Sequence, residues 1–129
     1  MTPRFNVVGI AVSDMARSLA FYRRLGLEIA DGSDGEAHVE AELPGGLRIA
    51  WDTEAVMRSM DPEWAPPASG SRVALAFECD SPADVDRVYG ELVASGAHGH
   101  TPPWDAVWQQ RYAVVHDPDG TPIDLFARL

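Results

Sequence analysis

The chain has 129 residues and carries 20 acidic against 10 cationic side chains, all of the cations being arginine, so its formal net charge is -10 at pH 7. One folding unit of modest size is expected at this length. The negative charge disfavours nucleic acids and anionic membranes as partners, and favours a neutral or cationic small molecule.

The first half of the chain begins with an alternating apolar segment that predicts a strand at 5–12. A helix follows, with Ser13 or Asp14 as its N-cap and Gly26 at its end. Further strands are predicted at 27–31, 36–43 and 46–53, and a short helix at 54–59. The apolar face of the first helix is predicted to carry Met15, Ser18, Leu19, Tyr22 and Leu25.

The second half repeats this order. A strand is predicted at 71–79, and a helix follows with Ser81 as its N-cap, Pro82 at its first position and Gly96 at its end. Three more strands are predicted, at 97–101, 108–116 and 121–127. Because VVGIAVSD at 7–14 and VALAFECD at 73–80 each precede a helix, we interpret the chain as a repeated β-α-β-β-β module.

These elements predict an α+β fold made of modules 1–60 and 71–129 with a linker at 61–70. Alternation along the strands gives each sheet one apolar face, which the helices should cover. The other face mixes small and polar side chains. It is either a solvated surface, as antiparallel sheets commonly have, or the floor of a cavity. The small residues on that face favour a cavity, and they are Gly9, Ala11, Ala50, Ala74 and Ala76.

Two motifs, VGIAVSDMARSLAFYRRLGLE at 8–28 and VVHDPDGTPIDLF at 114–126, resemble those of the glyoxalase/bleomycin-resistance/extradiol-dioxygenase superfamily, also called vicinal oxygen chelate proteins. The resemblance covers nearly the whole chain. It implies two modules that form a curved mixed sheet around a cleft, with helices on the outer face, often completed within a homodimer.

Enzymes of this superfamily commonly bind a divalent metal, and the resemblance places their ligand positions here on Val7, Ala50, Ala74 and Asp124. Only Asp124 can bind a cation, so we predict that the usual metal site is absent and that no cofactor is bound. We interpret His98 and His100, with His116 elsewhere, as loop residues rather than metal ligands. The lone Cys79 is expected to be an inert packed thiol.

Without that metal, the resemblance to bleomycin-resistance proteins implies a binding protein. Acids outnumber arginines on the predicted cavity face, which favours cationic ligands, and indole rings stack on flat or cationic molecules. Ion pairing by the arginines and simple packing of the tryptophans remain alternatives. The predicted ligand-binding residues are Glu40, Arg48, Asp52, Glu78, Trp104, Trp108, Gln110, Tyr112 and Asp124.

The leading hypothesis is a metal-independent small-molecule binder that sequesters an aromatic or cationic antibiotic-like compound. The alternative is a lyase, isomerase or dioxygenase with a non-standard site, which either includes Asp124 with partners that are not predicted or uses Glu40, Glu78 or Tyr112 as acid or base. A housekeeping domain with a vestigial cavity is a third possibility. The opening segment has no secretory leader pattern, so a cytoplasmic location is expected.

Overall fold

The computed structural model describes residues 1–68 and 70–129. The chain divides into two compact units, unit 1 at Met1–Pro66 and unit 2 at Pro67–Leu129. This division falls inside segment 61–70, which we predict as a linker; Ser69 in that segment lies outside the described residues. None of the described helices has both the length and the apolar character needed to cross a membrane.

Unit 1 contains a three-stranded sheet with two helices. Its strand order is β1-β3-β2, with β1 parallel and β2 antiparallel to β3. Helix α2 follows β3 directly and contacts β1 and β3. The elements are β1 (Val7–Val12), α1 (Met15–Arg24), β2 (His38–Glu42), β3 (Arg48–Thr53) and α2 (Glu54–Met60).

Helix α1 begins and ends where its sequence predicts. The Asp14 carboxylate accepts a hydrogen bond from the backbone N–H of Arg17, which satisfies one of the free N–H groups of the first turn. The helix buries Leu19 and Tyr22, and the ring of Tyr22 lies 5.4 Å from that of Trp51 on β3. These contacts form the core of unit 1.

The prediction of a strand at 27–31 is wrong, because the described residues between α1 and β2 contain no strand. The carbonyl of Ala30 accepts hydrogen bonds from the Arg23 guanidinium at 3.0 Å and from the Ser33 hydroxyl at 2.7 Å. Side chains therefore occupy a backbone acceptor that a neighbouring strand would use. Ile29 is buried, which accounts for the apolar signal in the sequence. Unit 1 is thus β-α-β-β followed by α2, and not the predicted β-α-β-β-β module.

Unit 2 has the predicted β-α-β-β-β order. Its four-stranded sheet runs β4-β7-β6-β5, with β4 parallel to β7 and the other pairs antiparallel. Helix α3 packs on β5, β6 and β7. The elements are β4 (Leu75–Glu78), α3 (Pro82–Ala94), β5 (His98–Ala106), β6 (Gln110–His116) and β7 (Pro122–Arg128).

Helix α3 covers one face of this sheet and leaves the other part-exposed. Ser81 caps the helix by accepting from the N–H of Asp84 at 3.2 Å. The buried side chains between the helix and the sheet are Val85, Leu92, Ala113, Val115, Ile123 and Leu125. Residues of opposite parity on β6 and β7 remain partly accessible, as alternation predicts.

Two strand bounds in unit 2 differ from prediction by three residues or more. The segment 71–74 is not part of β4, because the Ser71 hydroxyl donates to the carbonyl of Val73 and accepts from its N–H, which closes a local turn. Strand β5 continues past Thr101 through two prolines to Ala106. Those prolines are tolerated because β5 is an edge strand and its register shifts between Thr101 and Trp104.

Candidate functional site

In unit 1, His38 lies between two carboxylates on the sheet face opposite Val39 and Trp51. His38 and Asp52 are register partners on β2 and β3, and Glu40 lies two residues further along β2. Nδ1 of His38 is 2.5 Å from Oδ1 of Asp52, and Nε2 is 2.8 Å from Oε2 of Glu40. Hydrogen bonds to these carboxylates raise the pKa of His38. The bond to Asp52 has the larger effect and the bond to Glu40 the smaller.

Arg48 extends this cluster on the next strand. Its guanidinium donates to Glu40 and to the side-chain oxygen of Asn6, each at 2.5 Å. The hydrogen bond from His38, aided by Arg48, lowers the pKa of Glu40. Glu40 is therefore held by Arg48 and His38, Asp52 is held by His38, and both nitrogens of His38 are occupied. This cluster resembles an ion-pair network more than an acid or base awaiting a substrate.

We expect the stabilising effect of His38 to depend on pH. Since folding raises its pKa above the ordinary value of 6.5, its contribution is complete below that value and is lost as pH rises through the raised pKa. Urea unfolding of the wild type and His38→Gln at about pH 6 and about pH 9 should show the wild-type advantage shrinking at the higher pH. A constant difference between the two proteins would contradict this, and Asp52→Asn should flatten the same dependence.

Unit 2 groups four aromatic side chains on the sheet face opposite α3, which we call the aromatic patch: Trp104, Trp108, Tyr112 and Phe126. Tyr112 is central, with ring centroids 5.6 Å from Trp104, 5.5 Å from Trp108 and 6.2 Å from Phe126. The two indoles meet edge to face at 6.0 Å. Trp108 is 53% exposed. The patch thus offers accessible ring surface next to part-buried rings.

The hydroxyl of Tyr112 donates to the Asp124 carboxylate at 2.5 Å, from β6 to the neighbouring strand β7. Burial, together with this hydrogen bond and the charge of Asp124, raises the pKa of Tyr112 to about 12. The phenol therefore stays protonated at neutral pH. It can hold Asp124 in place, but it cannot act as a base there.

A tight hairpin turn between β5 and β6 positions Trp108. The N–H of Gln109 donates to the carbonyl of Ala106, and Gln109 has a φ of 67°, the left-handed conformation that such turns require. The indole N–H of Trp108 donates to the side chain of Gln110 at 3.0 Å. Gln110 therefore orients the indole, a role that the sequence alone does not reveal.

The sequence profile of the Glyoxalase/Bleomycin resistance protein/Dioxygenase superfamily matches residues 4–125. The chain belongs to this superfamily. A solved glyoxalase/bleomycin resistance protein/dioxygenase from Nocardioides is 27% identical, covers 100% of this chain and 85% of its own, and has a TM-score of 0.77. A protein of unknown function from Agrobacterium tumefaciens is 30% identical, with coverages of 100% and 97% and a TM-score of 0.73.

A glyoxalase/bleomycin resistance protein/dioxygenase family enzyme from Burkholderia phytofirmans shares the fold, with a TM-score of 0.84, 20% identity and coverages of 98% and 100%. No curated protein matches this chain. The family predicted from the two terminal motifs is therefore confirmed, as is the α+β class, with the exception of the missing strand at 27–31.

The side chains at the superfamily's usual ligand positions do not fit a metal. The side chains of Val7, Ala50 and Ala74 have no lone pairs to offer a metal. Val7 and Ala50 belong to unit 1, and Ala74 belongs to unit 2 but lies outside β4. The fourth position, Asp124, accepts the Tyr112 hydroxyl. A transition metal usually needs about three protein ligands, so we derive no reaction step through a metal at these positions.

Three histidines lie close together in unit 2, at positions other than the usual ligand positions. His98 and His100 lie on β5, so their interpretation as loop residues is wrong, and His116 lies at the end of β6, within the strand predicted at 108–116. One potential ligand atom from each ring lies within 4.8 Å of the other two. Burial, with repulsion from His100 and His98, lowers the pKa of His116. The sequence signal for the group was the HGH triplet, but its third member depends on strand register.

The predicted ligand-binding residues therefore fall into separate groups. Glu40, Arg48 and Asp52 join the unit 1 network, together with His38, which the sequence interpretation omitted. The larger group on unit 2 shares the patch face or its turn and consists of Trp104, Trp108, Gln110, Tyr112 and Asp124. Glu78 lies on β4 as the register partner of Phe126.

Proposed function

We propose that this superfamily member binds a flat aromatic small molecule through the aromatic patch, without needing a metal for that binding. The observation that carries the proposal is the grouping of four rings around the Tyr112–Asp124 hydrogen bond, with Trp108 half-exposed at its edge. Sequestration of an antibiotic-like compound is the role we infer for such binding.

The ring geometry supports stacking of a planar ligand. Edge-to-face contacts between Trp104, Trp108 and Tyr112 fix the rings relative to one another, so little side-chain freedom is lost on binding. Each added aromatic contact is worth about 0.5 to 1.5 kcal/mol beyond the area it buries. The core of unit 2 lies on the opposite face under α3, so the packing of that core does not account for these rings.

Charge on the patch face favours a ligand with a cationic or hydrogen-bond-donating group. Alternation along β4 and β7 places Glu78, Asp124 and Arg128 on this face, with Arg128 at the end of β7 beside Gln110. The carboxylates thus outnumber the cation near the rings. Glu40 and Asp52 of unit 1 are not counted toward this preference, because His38 and Arg48 pair with them.

The enzymatic alternative draws less support from the same geometry. Tyr112 remains protonated at neutral pH because its pKa is raised to about 12, and Asp124 is engaged by its hydroxyl. Assembly into a homodimer and a cytoplasmic location remain predictions from the sequence.

Fluorescence and calorimetric titrations in buffer containing EDTA test the proposal. We expect ethidium, a planar cationic probe, to quench tryptophan emission and the anionic anilinonaphthalene sulfonate to bind more weakly. Trp108→Ala should weaken ethidium binding about tenfold, as removal of one aromatic contact worth about 1 to 1.5 kcal/mol requires.

Trp64→Phe is the matched control, because Trp64 lies in unit 1 under the guanidinium of Arg58. It should leave the calorimetric affinity unchanged. Absence of binding across a panel of planar aromatic compounds would overturn the proposal. So would an affinity that is lost in Trp64→Phe and kept in Trp108→Ala.

A further inference from the structure

Strand β5 presents two histidines on one face because a single glycine separates them. A Cβ at Gly99 would lie 2.3 Å from the Tyr89 hydroxyl of α3, so Gly99 faces the helix. Its neighbours His98 and His100 therefore lie on the opposite face, where both are exposed. This arrangement leaves two imidazoles accessible to solvent on the edge strand of the sheet.

Strand register adds the third ring. His98 pairs directly with His116 on β6, while the register shifts between Gly99 and Thr101, so His100 is the extra residue of a β-bulge. Bulges redirect side chains and are common beside functional sites. Here the ring of His100 stacks on that of His116 with centroids 4.6 Å apart, and His98 lies 5.0 Å from His116.

The three rings differ from His38 in what occupies their nitrogens. Within residues 1–68 and 70–129, no side-chain hydrogen bond or ion pair holds His98, His100 or His116, whereas carboxylates engage both nitrogens of His38. Neighbouring imidazoles repel one another when protonated, and when neutral these three gain only ring contacts from each other. A cation that accepts lone pairs from all three would replace this arrangement with favourable bonds.

We propose that His98, His100 and His116 together bind one divalent transition-metal ion, with Zn²⁺ as the expected ion. Three imidazoles are a common protein ligand set for Zn²⁺, and they leave one coordination position open. Zinc–nitrogen bonds of about 2.0 to 2.1 Å require the three nitrogens to come within about 3.4 Å of one another. The present spacing, up to 4.8 Å, closes by side-chain rotation, because His98 and His100 are exposed.

This site shares no residue with the aromatic patch or with the superfamily's usual ligand positions. His116 is four residues from Tyr112 along β6, which is about 13 Å at the rise of an extended strand. Only Asp124, among the usual positions, lies on a neighbouring strand, and its carboxylate is directed to Tyr112. Because the ligand titrations are done in EDTA, their result does not depend on whether the histidines bind zinc.

Calorimetry on the tag-free full chain, stripped with EDTA and desalted at about pH 7.5, where imidazole is ordinarily neutral, tests the site. We expect ZnCl₂ to bind with a stoichiometry of one and MgCl₂ to give no signal, since Mg²⁺ prefers oxygen ligands. Loss of a group that only hydrogen-bonds to a metal ligand already lowers metal affinity about 10- to 100-fold. The loss of a direct ligand in His100→Asn or His116→Asn should therefore weaken zinc binding at least about tenfold.

His38→Asn provides the matched control, since it removes the remaining histidine, which belongs to unit 1. It should leave zinc affinity unchanged, and Co²⁺ added to the wild type should show the visible absorption of a tetrahedral nitrogen site. If His116→Asn does not fold, the exposed pair His98→Asn and His100→Asn decides the question. Absence of zinc binding, or binding that is lost only in His38→Asn, would overturn the proposal.

Discussion

Replacing Trp51 by alanine should destabilise the protein by about 3 to 5 kcal/mol, the usual cost of removing a large buried aromatic ring. Trp51 is fully buried on β3 and meets the ring of Tyr22 from α1. Its removal opens a cavity between the helix and the sheet of unit 1, which cannot collapse without moving α1. Urea unfolding followed by far-ultraviolet circular dichroism measures the loss without relying on tryptophan emission.

Two further variants test whether the loss comes from the buried ring of Trp51. Trp51→Phe should cost clearly less, because it keeps ring contact with Tyr22 and removes an indole N–H that has no hydrogen-bond partner among the described residues. Trp108→Ala should cost only about 0.5 to 1.5 kcal/mol, since that indole is half-exposed and loses mainly its contacts with Trp104 and Tyr112. Equal losses in Trp51→Ala and Trp108→Ala would contradict the distinction between a core tryptophan and a binding tryptophan.

The helices and faces of this fold could be predicted because their signals are local. Asp14 and Ser81 cap their helices within three residues of themselves, and alternation places Val39 inside and Glu40 outside on the same strand. The apolar pattern of segment 27–31 predicts a strand that these described residues do not form. Its true partner, the Arg23 side chain, satisfies the backbone from a neighbouring helix, which periodicity does not reveal.

The side-chain groups of the candidate sites were harder to predict because they depend on register. His38 meets Asp52 only because the turn after β2 fixes which residues pair across the hairpin. His100 joins His116 only because β5 contains a bulge. The sequence names most of the residues involved, but one residue of register shift would place each on the opposite face, and only the structure determines that register.

Gly99→Ala should destabilise unit 2 by about 1 to 3 kcal/mol, as overpacking of a close contact does. The added methyl group would meet the Tyr89 hydroxyl at 2.3 Å and Cγ2 of Val93 at 3.0 Å, so α3 or its side chains must move. Gly90→Ala on the same helix is the matched control. Its Cβ would meet nothing within 4 Å, so it should stabilise α3 by about 0.5 to 1 kcal/mol through helix propensity.

A double-mutant cycle with Tyr89→Phe identifies the cause of the Gly99→Ala loss. If the Tyr89 hydroxyl is the main obstacle, Gly99→Ala should cost less in the Tyr89→Phe background, and the remaining loss should reflect the Val93 contact. An equal loss in both backgrounds would show that the Tyr89 hydroxyl is not what limits position 99. Because His98 and His100 flank this glycine on the other face, the same substitution should also shift the two rings and weaken zinc binding. The close approach of α3 to β5 and the geometry of the histidines then both depend on the absence of a side chain at Gly99.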